Sequence, residues 1–219
     1  MKLLTYKTSE LESHQIGVLK NQLVYNLNNC FGNISLIELI QLNDYQQQVN
    51  AFTSNDDCLT HDFNDIIILP TIPKPTSFRD AYAFREHVAT ARKNRGAEMI
   101  AEFDQFPVFY FSNHNSMFGD KEEIKLMPDH FQKLDYELEF AIVIGKGGKN
   151  ILSKDADKHL AGFCILNDLS ARELQMEEMK LNLGPAKGKD FANVLGPYLV
   201  TTDELENKSV DTPFGKKYN

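Results

Sequence analysis

The 219-residue chain has no C-x-x-C pair, and its cysteines, Cys30, Cys58 and Cys164, are odd in number and far apart. That spacing argues against both a disulfide framework and a zinc knuckle, and makes reduced cytoplasmic thiols the default. A dense Lys/Arg block is also missing, and the formal net charge is -8, so neither nucleic acid nor an anionic membrane surface is expected as the main partner. The segment from Met1 to Lys7 turns polar at once, and no later apolar run approaches membrane-spanning length. The sequence therefore reads as cytoplasmic, with no membrane partner. Internal repeats and low-complexity tracts are absent. Lys187-Gly188-Lys189 matches a phosphate loop only loosely, because G-x-x-x-x-G-K-[ST] does not occur. What remains is a chain 42% hydrophobic, able to bury one large domain or a small one plus a larger one, with an acidic balance that suits metal binding.

The order of elements predicts an α+β, β-rich fold. Short strands are expected at Leu3 to Tyr6, Ile16 to Leu19 and Leu23 to Leu27. Ser35 and Glu38 form a capping-box pattern opening a helix to about Phe52. Asn55-Asp56-Asp57 reads as a loop, and Ile66 to Leu69 as a strand. Pro70, Pro73 and Pro75 form an extended connector that cannot be helical, so a small N-terminal β/α domain (1–72) is expected before a larger one (73–219). In the second part, a helix should open at Ser77 to Asp80 and end near Arg95, with Gly96 as its left-handed cap. Val108 to Phe111, Ile124 to Met127, Gly162 to Leu166 and Pro197 to Thr201 read as strands. Ser170-Ala171-Arg172-Glu173 reads as a second capping box and Gly184 to Asp190 as a loop, while Phe214 to Asn219 shows no closing element.

One stretch carries most of the chemistry. Leu134 to Ile144 is β-branched and aromatic enough to be a strand, which places Asp135, Glu137 and Glu139 on one face and Tyr136, Leu138, Phe140 and Ile142 on the other. Two carboxylates roughly 6 Å apart at an effective dielectric near 20 repel by about 2 to 3 kcal/mol, enough to raise one pKa by about two units. Either one acid is protonated or a cation sits between them. Ala141 and Val143 continue the acidic face, so that face becomes buried, which favours a cation.

Three other segments offer partners. Asp80 and His87 are spaced to share one face of the expected helix. Asp168 ends a strand, with Arg172 and Gln175 on the helix that follows. Lys189 would bring a mobile ammonium on a glycine-rich backbone. Singly, each has a structural reading too. Asp80 can be a helix N-terminal acid, His87 a surface histidine, Asp168 turn chemistry, Arg172 a partner of Glu173 or Asp168, and Tyr82 plain packing.

In chain order the motifs are Arg79-Asp80-x-Tyr82-x-x-x-x-His87, Asn113-His114-Asn115-Ser116, Asp135-Tyr136-Glu137-Leu138-Glu139, Asn167-Asp168-Leu169-Ser170-Ala171-Arg172-Glu173-Leu174-Gln175 and Gly188-Lys189-Asp190-Phe191. Together they resemble the fumarylacetoacetate hydrolase family from about Pro75 onward. The resemblance implies a mixed β-roll catalytic domain, a homodimer, and a divalent ion held by Asp80, Glu137, Glu139 and Asp168. That ion would be Mg2+ or Ca2+, with Mn2+ as an alternative. It also implies His87 as general base, Tyr82, Arg172, Gln175 and Lys189 at the substrate and its oxyanion, and hydrolysis of a carbon–carbon bond in a 1,3-diketo acid. Relatives hydrate, isomerise or decarboxylate 2-oxo acids on the same scaffold, and a non-enzymatic chain that only binds metal or a partner is a further alternative. Some family members carry an aromatic near Met179 and a threonine near Asn193, so the resemblance does not extend to side-chain selectivity or one outer metal contact, while the four carboxylates are untouched. Members also continue past this point with further strands, a Gly/Thr-rich loop and a glutamate that orients the base. The chain is thus expected to be a fragment or truncated product, or to be completed by another chain, with reduced activity or none on its own.

Overall fold

In the computed structural model, residues 1–9, 13–55, 58–127, 133–213 and 215–218 are described, which leaves Asp56, Asp57, Phe214 and Asn219 of the expectations above outside it. The fold is mixed α+β and sheet-rich. Strands β1 (Lys2–Lys7), β2 (Gln15–Lys20) and β3 (Leu23–Asn26) form an antiparallel meander, followed by helices α1 (Asn28–Phe31), α2 (Leu36–Gln41) and α3 (Tyr45–Phe52). The capping box at α2 is formed, Ser35 Oγ accepting from the Glu38 N–H at 3.3 Å while Glu38 Oε2 accepts from the Ser35 N–H at 2.7 Å. The expected single helix to Phe52 is broken at Leu42, which is extended, and Asp44, which is left-handed. Then come β4 (Thr60–Asp62) and β5 (Ile67–Ile68).

The second part of the chain contains β6 (Arg79–Asp80), α4 (Arg85–Asn94), β7 (Tyr110–Phe111), β8 (Met117–Phe118), β9 (Leu134–Asp135), β10 (Leu138–Ile144), β11 (Leu160–Asp168), β12 (Ser170–Ala171), α5 (Arg172–Met179), α6 (Ala186–Lys189) and β13 (Asn193–Thr201). A hairpin of β14 (Ser209–Thr212) and β15 (Gly215–Tyr218) ends it, where no closing element was expected. The main sheet has nine strands, running β10-β11-β13-β1-β2-β3-β4 with β5 on β1 and β8 on β13. Leu3, Ile16, Val18, Leu27, Leu39, Val49, Leu166, Leu195 and Leu199 fill the core beneath it, at about 1.5 to 3 kcal/mol per buried aliphatic side chain.

Several expectations give way here, each for a local reason. Asp80 lies in β6 rather than in a helix, because residues 79–80 pair with β7; α4 starts only at Arg85, so Asp80 and His87 do not share a helical face. The far end of α4 is as expected, with Gly96 left-handed at φ 71°. Among the described residues Ile124 to Met127 has no strand pairing. The acidic strand is interrupted at Tyr136-Glu137, between β9 and β10. Ser170 does not cap α5: its hydroxyl donates to the Asp168 carbonyl instead, at 3.1 Å. The Gly184 to Asp190 loop winds into α6, and no helix among the described residues is long and apolar enough to cross a membrane.

Candidate functional site

The alternation expected for the acidic strand holds in β10. Val143 is buried and Ala141 packs on the core, while Leu138, Phe140, Ile142 and Ile144 face outward and are exposed. At the interruption the Glu137 carbonyl still accepts from the Asp168 N–H at 3.0 Å, so Glu137 stays opposite Asp168, and Asp168 is in turn opposite Asn193 on β13. Cross-strand partners share a face, so a polar row of Glu137, Asp168 and Asn193 runs beside an apolar row in which Leu166 faces Leu195. Glu139 sits across from Leu166, at the boundary of the two rows.

Asp80 reaches this face from the separate β6–β7 sheet. Tyr110 is its cross-strand partner there, and the Tyr110 hydroxyl donates to Asp80 Oδ2 at 2.5 Å and to Asp168 Oδ2 at 3.2 Å. On the back of the same pair the Arg79 guanidinium lies over Phe111 and Phe109, 4.7 and 5.5 Å from the ring centres. Carboxylate oxygens of Asp80, Glu139 and Asp168 all lie within 4.8 Å of one another.

Two cations flank the acids. Lys189, only 3% exposed, places Nζ 2.5 Å from Glu137 Oε2 and 2.7 Å from Asp168 Oδ2; the mobile ammonium expected from the glycine-rich sequence is in fact fixed. Arg172 contacts the other Glu137 oxygen at 2.5 Å and Asp135 Oδ2 at 2.9 Å, and donates to Gln175 Oε1 at 3.1 Å. Its partners are therefore Glu137 and Asp135, not Glu173 or Asp168. Glu137 is thus shared between Arg172 and Lys189 and stands beside the three clustered acids.

Electrostatics separate the two glutamates. For Glu137 burial disfavours the charge, but the bonds from Lys189 and Arg172 outweigh it and hold the carboxyl below its ordinary range. Glu139 has no such bonded cation among the described residues, and burial, then the charges of Asp80, Asp168 and Glu137, push it up to about 8. Burial likewise raises Asp168, against the pull of Lys189. Tyr110 is raised by burial and by the carboxylates around it, so its phenol keeps its proton.

The cluster fits a divalent cation. All its donors are hard oxygens, as Mg2+, Ca2+ and Mn2+ prefer. Asp168 Oδ1 and both polar side-chain atoms of Asn193 are buried without a hydrogen-bond partner among the described residues, a costly state in an ion-free interior and one that an ion with its water shell relieves.

His87 and Tyr82 lie outside this knot. His87 is exposed on the first turn of α4, and Tyr82 is stacked on Phe103 at 6.3 Å. Sequence reasoning missed Tyr110, and its one signal was a hydroxyl-bearing residue between two phenylalanines in an expected strand. It noted Asn193 only as a departure from the family.

Comparison with known proteins follows the same outline. The family described as Fumarylacetoacetate (FAA) hydrolase C-terminal matches residues 76–213. An uncharacterized protein of Staphylococcus haemolyticus (strain JCSC1435) is 31% identical over 232 residues, spanning 97% of this chain and 74% of its own length. Among solved structures, a fumarylacetoacetate hydrolase from psychrophilic Exiguobacterium antarcticum superposes with a TM-score of 0.68 at 24% identity, covering 95% of this chain and 69% of its own. The maleylpyruvate hydrolase of Sphingobium sp. SYK-6, solved with manganese(II) and pyruvate, gives 0.65 at 16% identity, covering 97% and 70%.

Proposed function

Because the chain belongs to the fumarylacetoacetate hydrolase C-terminal family, whose members include hydrolases and isomerases, we propose that it is a divalent-metal-dependent hydrolase cleaving a carbon–carbon bond in a 1,3-diketo acid of acylpyruvate or fumarylacetoacetate type. The observation that carries this reading is the convergence of Asp80, Glu139 and Asp168 from separate stretches of chain, beside a buried lysine. Those three residues, with Glu137 at their edge, would hold Mg2+, Ca2+ or Mn2+, and such an ion supplies a Lewis acid for the negative charge of an enolised substrate. The pyruvate and manganese of the Sphingobium structure support a chelating 2-oxo acid as the ligand class.

The side chains do the rest. In this reading His87 takes a proton from the attacking water, whose oxygen adds to one carbonyl carbon; the carbon–carbon bond then breaks with its electron pair going to the departing enolate, whose carbon takes the proton back from His87. Lys189 and the Gln175 amide donate toward developing negative charge, while Arg172 keeps Glu137 ionised and, with Tyr82, contacts the substrate. In this reading residues 73–219 carry the chemistry, 1–72 form a small domain beside them, and the working species is a cytoplasmic homodimer.

The experiment is hydrolysis of an acylpyruvate panel, followed by ultraviolet loss of the enol, with and without Mg2+ or Mn2+ and with Glu139→Gln as control. Metal-dependent loss that Glu139→Gln abolishes is expected. Indifference to both metal and Glu139 would dismiss the reading. Product analysis by NMR separates hydrolysis, which releases two carbon skeletons, from hydration, isomerisation or decarboxylation.

A further inference from the structure

Glu178 lies one step beyond the residues already placed. Arg172, Gln175 and Glu178 recur every third residue on α5 and so share a face. Glu178 points this face at α6: its Oε1 accepts from the Lys187 N–H at 2.8 Å and its Oε2 from the Gly188 N–H at 2.7 Å. These donors belong to the first turn of a four-residue helix, whose opening N–H groups have no partner within the helix itself. Close approach completes the joint. A Cβ on Gly188 would sit 2.7 Å from both Cα and Cβ of Gln175, so only glycine lets the turn seat against α5. The next residue is Lys189, whose ammonium is shared by Glu137 and Asp168.

We propose that Glu178 is a positioning residue whose carboxylate clamps the turn carrying Lys189, so that the cation balancing the acid cluster is held in place by an acid outside it. The clamp also ties α5, which presents Arg172 to one oxygen of Glu137, to the turn that presents Lys189 to the other. Losing it would free the backbone beneath Lys189 while leaving Glu137, Asp168 and Lys189 chemically intact. Its consequence for turnover rests on the role proposed above for Lys189, but the clamp itself can be measured without substrate or metal.

The test is acetylation of lysines by an N-hydroxysuccinimide ester, timed and mapped by mass spectrometry, with exposed Lys149 as internal reference. In the parent chain Lys189 should react far more slowly than Lys149. Glu178→Ala should speed Lys189 by about ten- to a hundredfold relative to Lys149, the range expected when a charge-assisted bond no longer closes a local opening. Glu178→Gln, which keeps one acceptor oxygen, should fall between. Gly188→Ala, which lifts the turn off α5 with Glu178 still present, should mimic Glu178→Ala. Should Glu178→Ala fail to fold by circular dichroism, the glutamine variant decides by the same ratio. A Lys189 rate equal to that of the parent in the folded Glu178 variants would overturn the proposal. Because labelling needs no turnover, a protein inactive on diketo acids would count against the hydrolase reading alone.

Discussion

Asp80 and Tyr110 face each other across the two-stranded β6–β7 sheet, and the Tyr110 phenol donates to the Asp80 carboxylate at 2.5 Å while touching Asp168 on a different sheet. One hydroxyl thus orients two of the three clustered acids. Tyr110→Phe should keep the fold and weaken divalent-metal binding by about tenfold or more, the usual effect of removing a group that orients a ligand. Isothermal titration with Mn2+ measures this directly, and an unchanged affinity would show that the phenol orients nothing.

The raised Glu139 gives a pH dependence of definite sign. Its carboxyl titrates at about 8 in the fold against an ordinary 4.5, so between those values the folded chain binds more protons than the unfolded one. The contribution is present in full below the unfolded value and is lost as pH rises through the folded one, and Asp168, also raised, acts in the same direction. In chelator, therefore, the melting temperature should fall between about pH 5 and about pH 8 through this pair. Added Mg2+ should stabilise more at the upper end, where no proton has to leave Glu139.

Glu139→Gln separates the ligand from its charge. The amide resembles the protonated acid, so without metal the variant should be more stable than the parent above about pH 8, by the repulsion removed. It should also lose most of the thermal shift produced by Mn2+. Paired melting curves with and without ion test both halves.

Lys189 is the buried counter-charge of the site. Lys189→Met strips Glu137 and Asp168 of their shared cation and should destabilise the ion-free chain by about 3 to 5 kcal/mol in urea, the range for breaking a buried ion pair on one side. Divalent metal should recover part of that loss, since it supplies positive charge to the same oxygens.

Much of this was legible in sequence, for physical reasons that differ by residue. The face-switching of β10 follows from a period of two, and the conflict among its acids follows from Coulomb's law, so the upward shift of Glu139 was within reach. Asp80 was misplaced because Ser77 to Asp80 has the composition of a helix start, and pairing with Tyr110 and Phe111 overrides that local preference. Ser170 lost its cap for a similar reason, since β12 pairs with β9 and turns the hydroxyl back to Asp168. Tyr110 left only the faint signal of a hydroxyl between two phenylalanines, and Glu178 left none. Their roles rest on register and on helix-to-helix approach, which link residues far apart in sequence.

The clustered acids belong to two different sheets, Asp80 to the small β6–β7 leaf and Glu139 and Asp168 to the nine-stranded one. A doubly charged ion among them would rivet leaf to sheet, where bare carboxylates push the two apart. Occupancy of the site and attachment of residues 79–111 then become one variable, and hydrogen exchange in that leaf would serve as a gauge of free metal.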